Sequence, residues 1–296
     1  VQVKCCCSTA GFVTGFYRPK SRFVVPVDEC LLMAAPLNRL LKHLRESLAV
    51  SPFAKKIPQI DLSIGSNNSR RAVVHYLGQD ARLLVALLQP LAEQFNFDLA
   101  IQSGRKGELT VVRGSGDLSI SVDQPEIHLN YAFGGFAQIN LEQNRNLVQA
   151  VLDAASLQGN EQVLDLYCGM GNFSLPLAKR AALVTGVEDY QPSIEMAQRN
   201  ALENGIENVD FHVLQAELAL QTFSEKCDLL ILDPPRAGAC EVAKQLVDQP
   251  VKKIIYVSCD PQTLARDLKL LLNSGYQLKT SQAFDMFPQT HHVESL

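Results

Sequence analysis

VLDLYCGMGNF, Val163 to Phe173, is the stretch on which the reading of the fold turns. Its first half reads as a buried strand running into Gly169 and Gly171, and a helix opens behind them. Glycines admit positive φ and let a ligand approach the backbone closely. A dinucleotide fingerprint asks for a third glycine at position 174, where Ser174 stands. Glu188 ends the next predicted strand, 23 residues after Asp165. A carboxylate there can accept hydrogen bonds from both hydroxyls of a ribose. A glycine loop by itself is equally what a structural turn uses. Strand, loop, helix and second-strand acid together favour a nucleoside cofactor.

The alternation continues outward. Helical EQNRNLVQAVLDAA precedes the strand QVLDLY. Then follow helix NFSLPLAKR, strand LVTGV, helix PSIEMAQRNALENG, strands VDFHV and CDLLILD, a helix, strand KKIIYVS, helix TLARDLKLLLNSG and strand QLKTSQAFD. Strands alternating with helices predict a parallel α/β sheet, doubly wound, with both faces covered. Ligands of such sheets bind outside the carboxyl ends of the strands. Cys259, directly after KKIIYVS, falls at that edge.

The first 130 residues read as mixed α+β. FVTGFYR and FVVPV look like strands, and PLNRLLKHLRESL sets Leu37, Leu40, Leu41, Leu44 and Leu48 on one helical face. A second helix is expected over LLVALLQPLAEQF, bent or started near Pro90. ELTVVR, LSISV and EIHLNY look like short strands, punctuated by Gly114, Gly116 and Pro125.

The chain of 296 residues has room for two domains at roughly 100–200 residues each. With 47% hydrophobic and 20% charged residues it has material for a sizeable core. No apolar run approaches the roughly 20 residues of a membrane span, and the start VQVKCCC has no signal-peptide pattern. Eight unevenly spread cysteines point to a reduced, cytoplasmic protein. Residues 1–120 carry 15 Lys and Arg against 9 Asp and Glu, net +6. The whole chain carries 27 and 31, which leaves 12 and 22 beyond residue 120, net −10. A basic front half joined to an acidic back half fits an RNA-grasping region attached to a small-molecule domain, although chance asymmetry produces such a split too.

Three further motifs fall at the functional edge. In LLILDPPRAG, Asp233, Pro234, Pro235 and Arg236 form a rigid loop straight after a strand. It is either a strand-ending turn or a frame for a transferred group. Adenine amino-methyltransferases use a related Asp-Pro-Pro-aromatic loop, but Arg236 replaces the aromatic residue. In YVSCDP, Cys259 is a structural thiol or a nucleophile; the N-terminal dipole of the next helix is expected to favour its thiolate. In DMFPQTHHVESL, strand alternation points His292 and Glu294 to one side. A zinc site from His291, His292 and Glu294 is one reading, and Glu294 as a general base is the sharper one.

Together DLYCGMGNF, GVE, LDPPRAG, YVSCDP, TLARD and DMFPQTHHVES resemble, in order, the motifs of the RNA uracil-5-methyltransferases. These are S-adenosylmethionine-dependent enzymes that make 5-methyluridine in tRNA and 23S rRNA. The resemblance runs from about Thr14 to Leu296 and is strong from Phe136. It implies a Rossmann-like methyltransferase domain, residues 131–296, preceded by a central α+β RNA-binding domain, residues 1–130. It implies cofactor contacts at Gln138, Tyr167, Gly169, Asn172, Glu188, Gln215 and Asp233, with Cys259 as nucleophile and Glu294 as base. TGFYRPKSRFVVPVDEC and the ending look most like the 23S rRNA enzymes of the iron–sulfur subgroup. Asp260 departs from the asparagine common at that position.

Cys30 matches the fourth cysteine of that subgroup's 4Fe-4S cluster. The other three should lie upstream as Cys-x5-Cys-x2-Cys, but Cys5, Cys6 and Cys7 are adjacent. Neighbours on a strand alternate faces and do not reproduce that spacing. They are expected in a strand of the central domain. A cluster is left to the intact protein and is unsupported in this chain; both ends read as cut. The expectation is a monomeric cytoplasmic enzyme acting on 23S rRNA, without a membrane. The alternatives are a tRNA or other-site rRNA uracil-5-methyltransferase, an adenine or cytosine methyltransferase, and a non-catalytic RNA-binding protein of this fold.

Overall fold

The five leucines of the first amphipathic stretch all turn inward in the computed structural model, which describes every residue except 10, 105–108, 134–137, 139 and 291. Leu37, Leu40, Leu41, Leu44 and Leu48 are at most 3% exposed. Each stabilises the fold by roughly 1.5–3 kcal/mol. The chain divides into two units, Val1–Ser119 with Ala132–Gly134, and Ile120–Tyr131 with Gly135–Leu296.

In the first unit, β1 (Gln2–Ser8), β2 (Gly11–Tyr17) and β3 (Val24–Pro26) precede α1 (Ala35–Ala49). Then come β4 (Gln59–Ile64), β5 (Arg70–Tyr76), α2 (Arg82–Gln94), β6 (Asp98–Ser103) and β7 (Leu109–Arg113). The strands form one sheet in the order β3-β2-β1-β4-β5-β6-β7. β5 and β6 are parallel, joined by α2 as crossover. Cys5, Cys6 and Cys7 lie in β1, as expected. α2 neither starts nor stops at Pro90; it runs through it. Pro90 and Ala86 are both exposed, so water can satisfy the carbonyl that the missing N–H leaves free.

The next elements are β8 (Leu118–Val122) and β9 (Ile127–Tyr131), paired as a hairpin. There follow α3 (Leu141–Ala155), β10 (Gln162–Leu166), α4 (Ser174–Ala178), β11 (Leu183–Glu188), α5 (Gln191–Glu203) and β12 (Val209–Val213). α6 (Ala216–Phe223), β13 (Leu229–Leu232), α7 (Cys240–Asp248), β14 (Ile254–Tyr256) and α8 (Pro261–Asn273) lead to the short β15 (Ala283–Phe284) and β16 (Glu294–Ser295). Within the second unit, β12-β11-β10-β13-β14 form a sheet that is parallel throughout. β13 is buried along its whole length, which is why it reads as an unbroken apolar run. The strand order reverses between β10 and β13, and the crevice at that switch point is where such sheets hold ligands.

Two expectations are corrected here. QLKTSQAFD is not a strand except at Ala283–Phe284; Gln277, Lys279, Thr280, Ser281 and Gln282 are exposed, with no apolar face to bury. α6, over AELALQTF, was not anticipated between VDFHV and CDLLILD.

Candidate active site

The carboxyl edge of the five-stranded sheet gathers most of the residues singled out above. After β10, Tyr167 turns into the left-handed region (φ 66°), followed by Gly169 (φ 55°) and Gly171 (φ 94°). For a tyrosine that conformation costs roughly 1–2 kcal/mol, which the surrounding structure must offset. Such strained residues concentrate at functional sites. Glu188, at the end of β11, accepts from Gly169 N at 3.3 Å and from Asp189 N and Tyr190 N at 3.0 and 3.2 Å. Asn172 is fixed by a reciprocal amide pair with Asn144 of α3, at 2.9 and 3.1 Å.

A cavity of about 400 Å³ opens there, lined by Tyr167, Val187, Glu188, Asp189, Leu214, Gln215, Ala216 and Glu217. Apolar walls and three carboxylates suit a small ligand with a flat ring, hydroxyls and positive charge. Gln215 occupies the N-cap of α6 without making a side-chain capping bond, so its amide stays available to the cavity. Gln138, Gly169, Asn172 and Asp233 are not among the lining residues. Gln138 is half-buried, and its neighbours 134–137 and 139 lie outside the described residues.

Beneath the loop, Asp165 is fully buried. Its Oδ2 accepts from the Ser174 hydroxyl, and its Oδ1 has no partner. Burial and the nearby Glu188 charge raise its pKa to about 7 despite the Ser174 bond.

Cys259 and Glu294 come together through a single bridge. Ser258 N donates to Ser295 O at 2.9 Å and Ser295 N to Ser258 O at 2.8 Å. This antiparallel pairing sets the next residue, Cys259, opposite Glu294. Opposed positions on antiparallel strands project to one face. Glu294 is 5% exposed, and its Oε2 has no partner. Burial raises its pKa, and Arg236 alone opposes that. Asp233, after β13, is held well above its usual range by burial and by the charges of Glu294 and Asp165.

The thiol does not behave as the helix dipole suggested. Burial pushes Cys259 up, Glu294 and Asp233 add to that, and Arg236 pulls it down. Burial is the largest cause, and the start of α8 is already occupied. Asp260 takes the N-cap and accepts from Gln262 N at 2.9 Å and Thr263 N at 3.1 Å. A carboxylate therefore occupies the helix end that would otherwise favour the thiolate.

Sequence reading missed the support behind Arg236. Asp267 of α8, fully buried, accepts from Ala239 N, Tyr256 Oη and Arg266 Nε, each at 2.8 Å. Arg266 also donates to Ala237 O at 2.8 Å, and the Thr263 hydroxyl donates to Arg236 O at 3.2 Å. Gly238 (φ 73°) permits the close approach: a Cβ there would meet Asp267 Oδ2 at 2.6 Å. One signal was legible: Asp267 interrupts the apolar stripe Leu264, Leu268, Leu271 at helical spacing.

His291 of the considered metal site lies outside the described residues, and the His292 ring packs edge-on to Phe287 at 5.9 Å. Among the described residues no three His, Cys, Asp or Glu side chains converge as a metal group. An iron–sulfur cluster does not fit the cysteines of this chain. Cys5 is buried in β1, and the backbone of Cys30 is paired with Asn38.

The profile of the tRNA (Uracil-5-)-methyltransferase family matches residues 15–296. The chain belongs to this family. It is 39% identical over 289 residues to the 23S rRNA (uracil(1939)-C(5))-methyltransferase RlmD of Shewanella sediminis, covering 95% of this chain and 64% of that one. The enzyme of the same name from Shewanella sp. (strain MR-7) is 37% identical over 298 residues, with the same coverage. The chain thus spans about 64% of the length of these curated relatives. A solved structure, the tRNA (uracil-54, C5)-methyltransferase of Pyrococcus abyssi in complex with S-adenosyl-L-homocysteine, is 26% identical with a TM-score of 0.77. It aligns with 100% of this chain, and 74% of that chain is covered. The family's α/β methyltransferase architecture is the one described above. No helix among the described residues is long and apolar enough to cross a membrane.

Proposed function

We propose that this chain methylates carbon 5 of a uridine in RNA, that 23S rRNA is the substrate, and that S-adenosylmethionine is the methyl donor. The observation that carries the reading is the pairing of Cys259 with Glu294 across the Ser258–Ser295 bridge. A thiol and a buried carboxylate facing one another suit addition followed by proton removal.

Carbon 5 of uracil is a weak nucleophile. The Cys259 thiolate adds to carbon 6, and the electron pair moves onto the ring as an enolate. S-adenosylmethionine, when bound, would supply an electrophilic methyl group; as carbon 5 takes it, the methyl–sulfur bond would break and S-adenosylhomocysteine would leave. Glu294 then takes the carbon 5 proton, the ring double bond re-forms, and the carbon–sulfur bond breaks to release Cys259. Arg236 is the cation that favours the thiolate before addition. Glu294 is suited to its task because burial raises its affinity for a proton.

The cofactor fits the cavity by its chemistry. We assign the ribose hydroxyls to Glu188, the adenine to Gln215 and packing on a flat face to Tyr167, all of which line the cavity. Asp233, whose charge bears on Cys259, is retained as a contact, while Gly169 and Asn172 shape the loop. Gln138 is retained as a further contact. Residues 1–130 serve as the RNA-binding domain, and 131–296 as the catalytic one, in a cytoplasmic monomer.

The test is incubation of the chain with labelled S-adenosylmethionine and rRNA or tRNA lacking 5-methyluridine, followed by nucleoside mass analysis. Label in 5-methyluridine of 23S rRNA is expected. Label in tRNA alone would move the substrate to the other branch of the family. RNA binding without methyl transfer would favour the non-catalytic reading.

A further inference from the structure

The turn between β2 and β3 reads YRPKSRF, Tyr17 to Phe23, with three cations, two aromatics and no acid. It is an ordered hairpin tip. Arg18 N donates to Phe23 O at 2.9 Å, Ser21 N to Arg18 O at 3.1 Å, and Phe23 N to Ser21 Oγ at 3.0 Å. The register pairs Phe16 with Val25 and Tyr17 with Val24. Carried one step further, it pairs Arg18 with Phe23. Phe16, Arg18, Phe23 and Val25 therefore share one face.

On that face Phe23 is 64% exposed and Val25 43%, and Tyr17, on the other face, is 46% exposed. Arg18, Lys20 and Arg22 are exposed, and no ion pair with any of them occurs among the described residues. The nearest following acid, Asp28, is taken by Arg45 at 2.9 Å. Lys4 stands over the Tyr17 ring at 5.5 Å. Half of the net +6 of residues 1–120 thus sits on these seven residues, without an ion pair among the described residues. The same tip of a second copy would bring the same charge and be repelled. A polyanion with unstacked flat rings satisfies both the cations and the bare aromatics.

We propose that this hairpin tip is an RNA contact of the first unit, with Arg18, Lys20 and Arg22 on phosphates and Phe23 stacked on an unpaired base. This deepens the reading of an RNA substrate and rests on it.

The experiment titrates the full chain with a single-stranded oligouridine RNA, and with duplex RNA of equal length, over a range of salt. Replacing Arg18, Lys20 and Arg22 by alanine together should flatten the slope of log affinity against log salt by about 2, at about 0.7 per single-strand phosphate contact. Replacing them by charged lysine or arginine should keep the slope. Phe23→Ala should weaken single-strand binding roughly tenfold without changing the slope, and should spare the duplex. Thermal melting checks that these surface variants fold. Unaltered single-strand affinity in the variants, with the unmutated chain binding, overturns this inference alone. No RNA binding by the unmutated chain overturns the RNA substrate as well. Dimers in sedimentation that Phe23→Ala dissolves, at unchanged RNA affinity, would make the tip a protein interface and overturn the proposal.

Discussion

Ser258 and Ser295 donate to each other's carbonyls at 2.9 and 2.8 Å, and this exchange holds Cys259 opposite Glu294. The two side chains come from distant parts of the chain, one after β14 and one in β16. Neither strand is long. The geometry of the pair therefore depends on a bridge of two hydrogen bonds and on the pairing of Phe284 with Glu294.

The charges around the thiol predict opposite effects of two substitutions. Glu294→Gln removes a negative neighbour and should lower the Cys259 pKa. Arg236→Gln removes the cation that favours the thiolate and should raise it. Alkylation of Cys259 followed by peptide mass analysis over a pH series reads both. The alkylation curve should move to lower pH in Glu294→Gln and to higher pH in Arg236→Gln. Identical curves would mean that these charges do not face the sulfur.

Asp165 predicts a pH dependence of stability. Its folded pKa, about 7, lies above the ordinary 3.8. The folded chain then holds a proton that the unfolded chain releases, so the stability linked to Asp165 is present at low pH and falls as pH rises toward 7. Glu188 and Asp233 face the same group and act in the same direction. Asp165→Asn should remove much of this loss. Melting temperatures across that range should fall more steeply with pH in the unmutated chain than in the variant. Parallel curves would contradict the assignment.

Asp267→Ala should cost about 2–3 kcal/mol of stability, because a buried carboxylate with several donors is lost and those donors are left unpaired. Urea unfolding measures this. The same change should lower kcat more than cofactor affinity, since the Arg236 loop hangs on Asp267 while the cavity does not. Lost cofactor binding with intact kcat would contradict that division.

Glu188→Ala should weaken S-adenosylmethionine binding by about 1–3 kcal/mol, the range for hydrogen bonds to a charged group. Part of that loss would come through Gly169, whose N–H would lose its acceptor. Calorimetric titration with unchanged affinity would remove Glu188 from the cofactor site.

Much of this was legible in the sequence because the back half repeats one device. An apolar strand ends in a polar or glycine-rich loop, and a helix follows. Glu188, Asp233 and Cys259 stand at or shortly after the ends of such strands, so their shared edge could be read from spacing alone. What was not legible depends on contacts between distant segments. β4 and β5, though QIDLSI alternates along its length, are recognisable mainly by their neighbours in the sheet. The Asp267 clamp joins α8 to a loop and a strand. The direction of the Cys259 shift required knowing that the thiol is partly buried and that Glu294 and Asp233 lie near it. Asp260 was visible, but its occupation of the helix end was not.

The central proposal is that Cys259 attacks and Glu294 releases, and trapping with RNA tests it most directly. Unmutated chain, Cys259→Ala and Glu294→Gln are each incubated with S-adenosylmethionine and substrate RNA, then run on a denaturing gel. Glu294→Gln should still add to carbon 6 and transfer the methyl group, then stall because the carbon 5 proton has no acceptor. A protein–RNA adduct carrying the methyl label should accumulate in that variant. The unmutated chain should form one only with RNA containing 5-fluorouridine, and Cys259→Ala should form none. Labelled 5-methyluridine from Cys259→Ala, or no adduct in Glu294→Gln while the unmutated chain turns over, would contradict these roles.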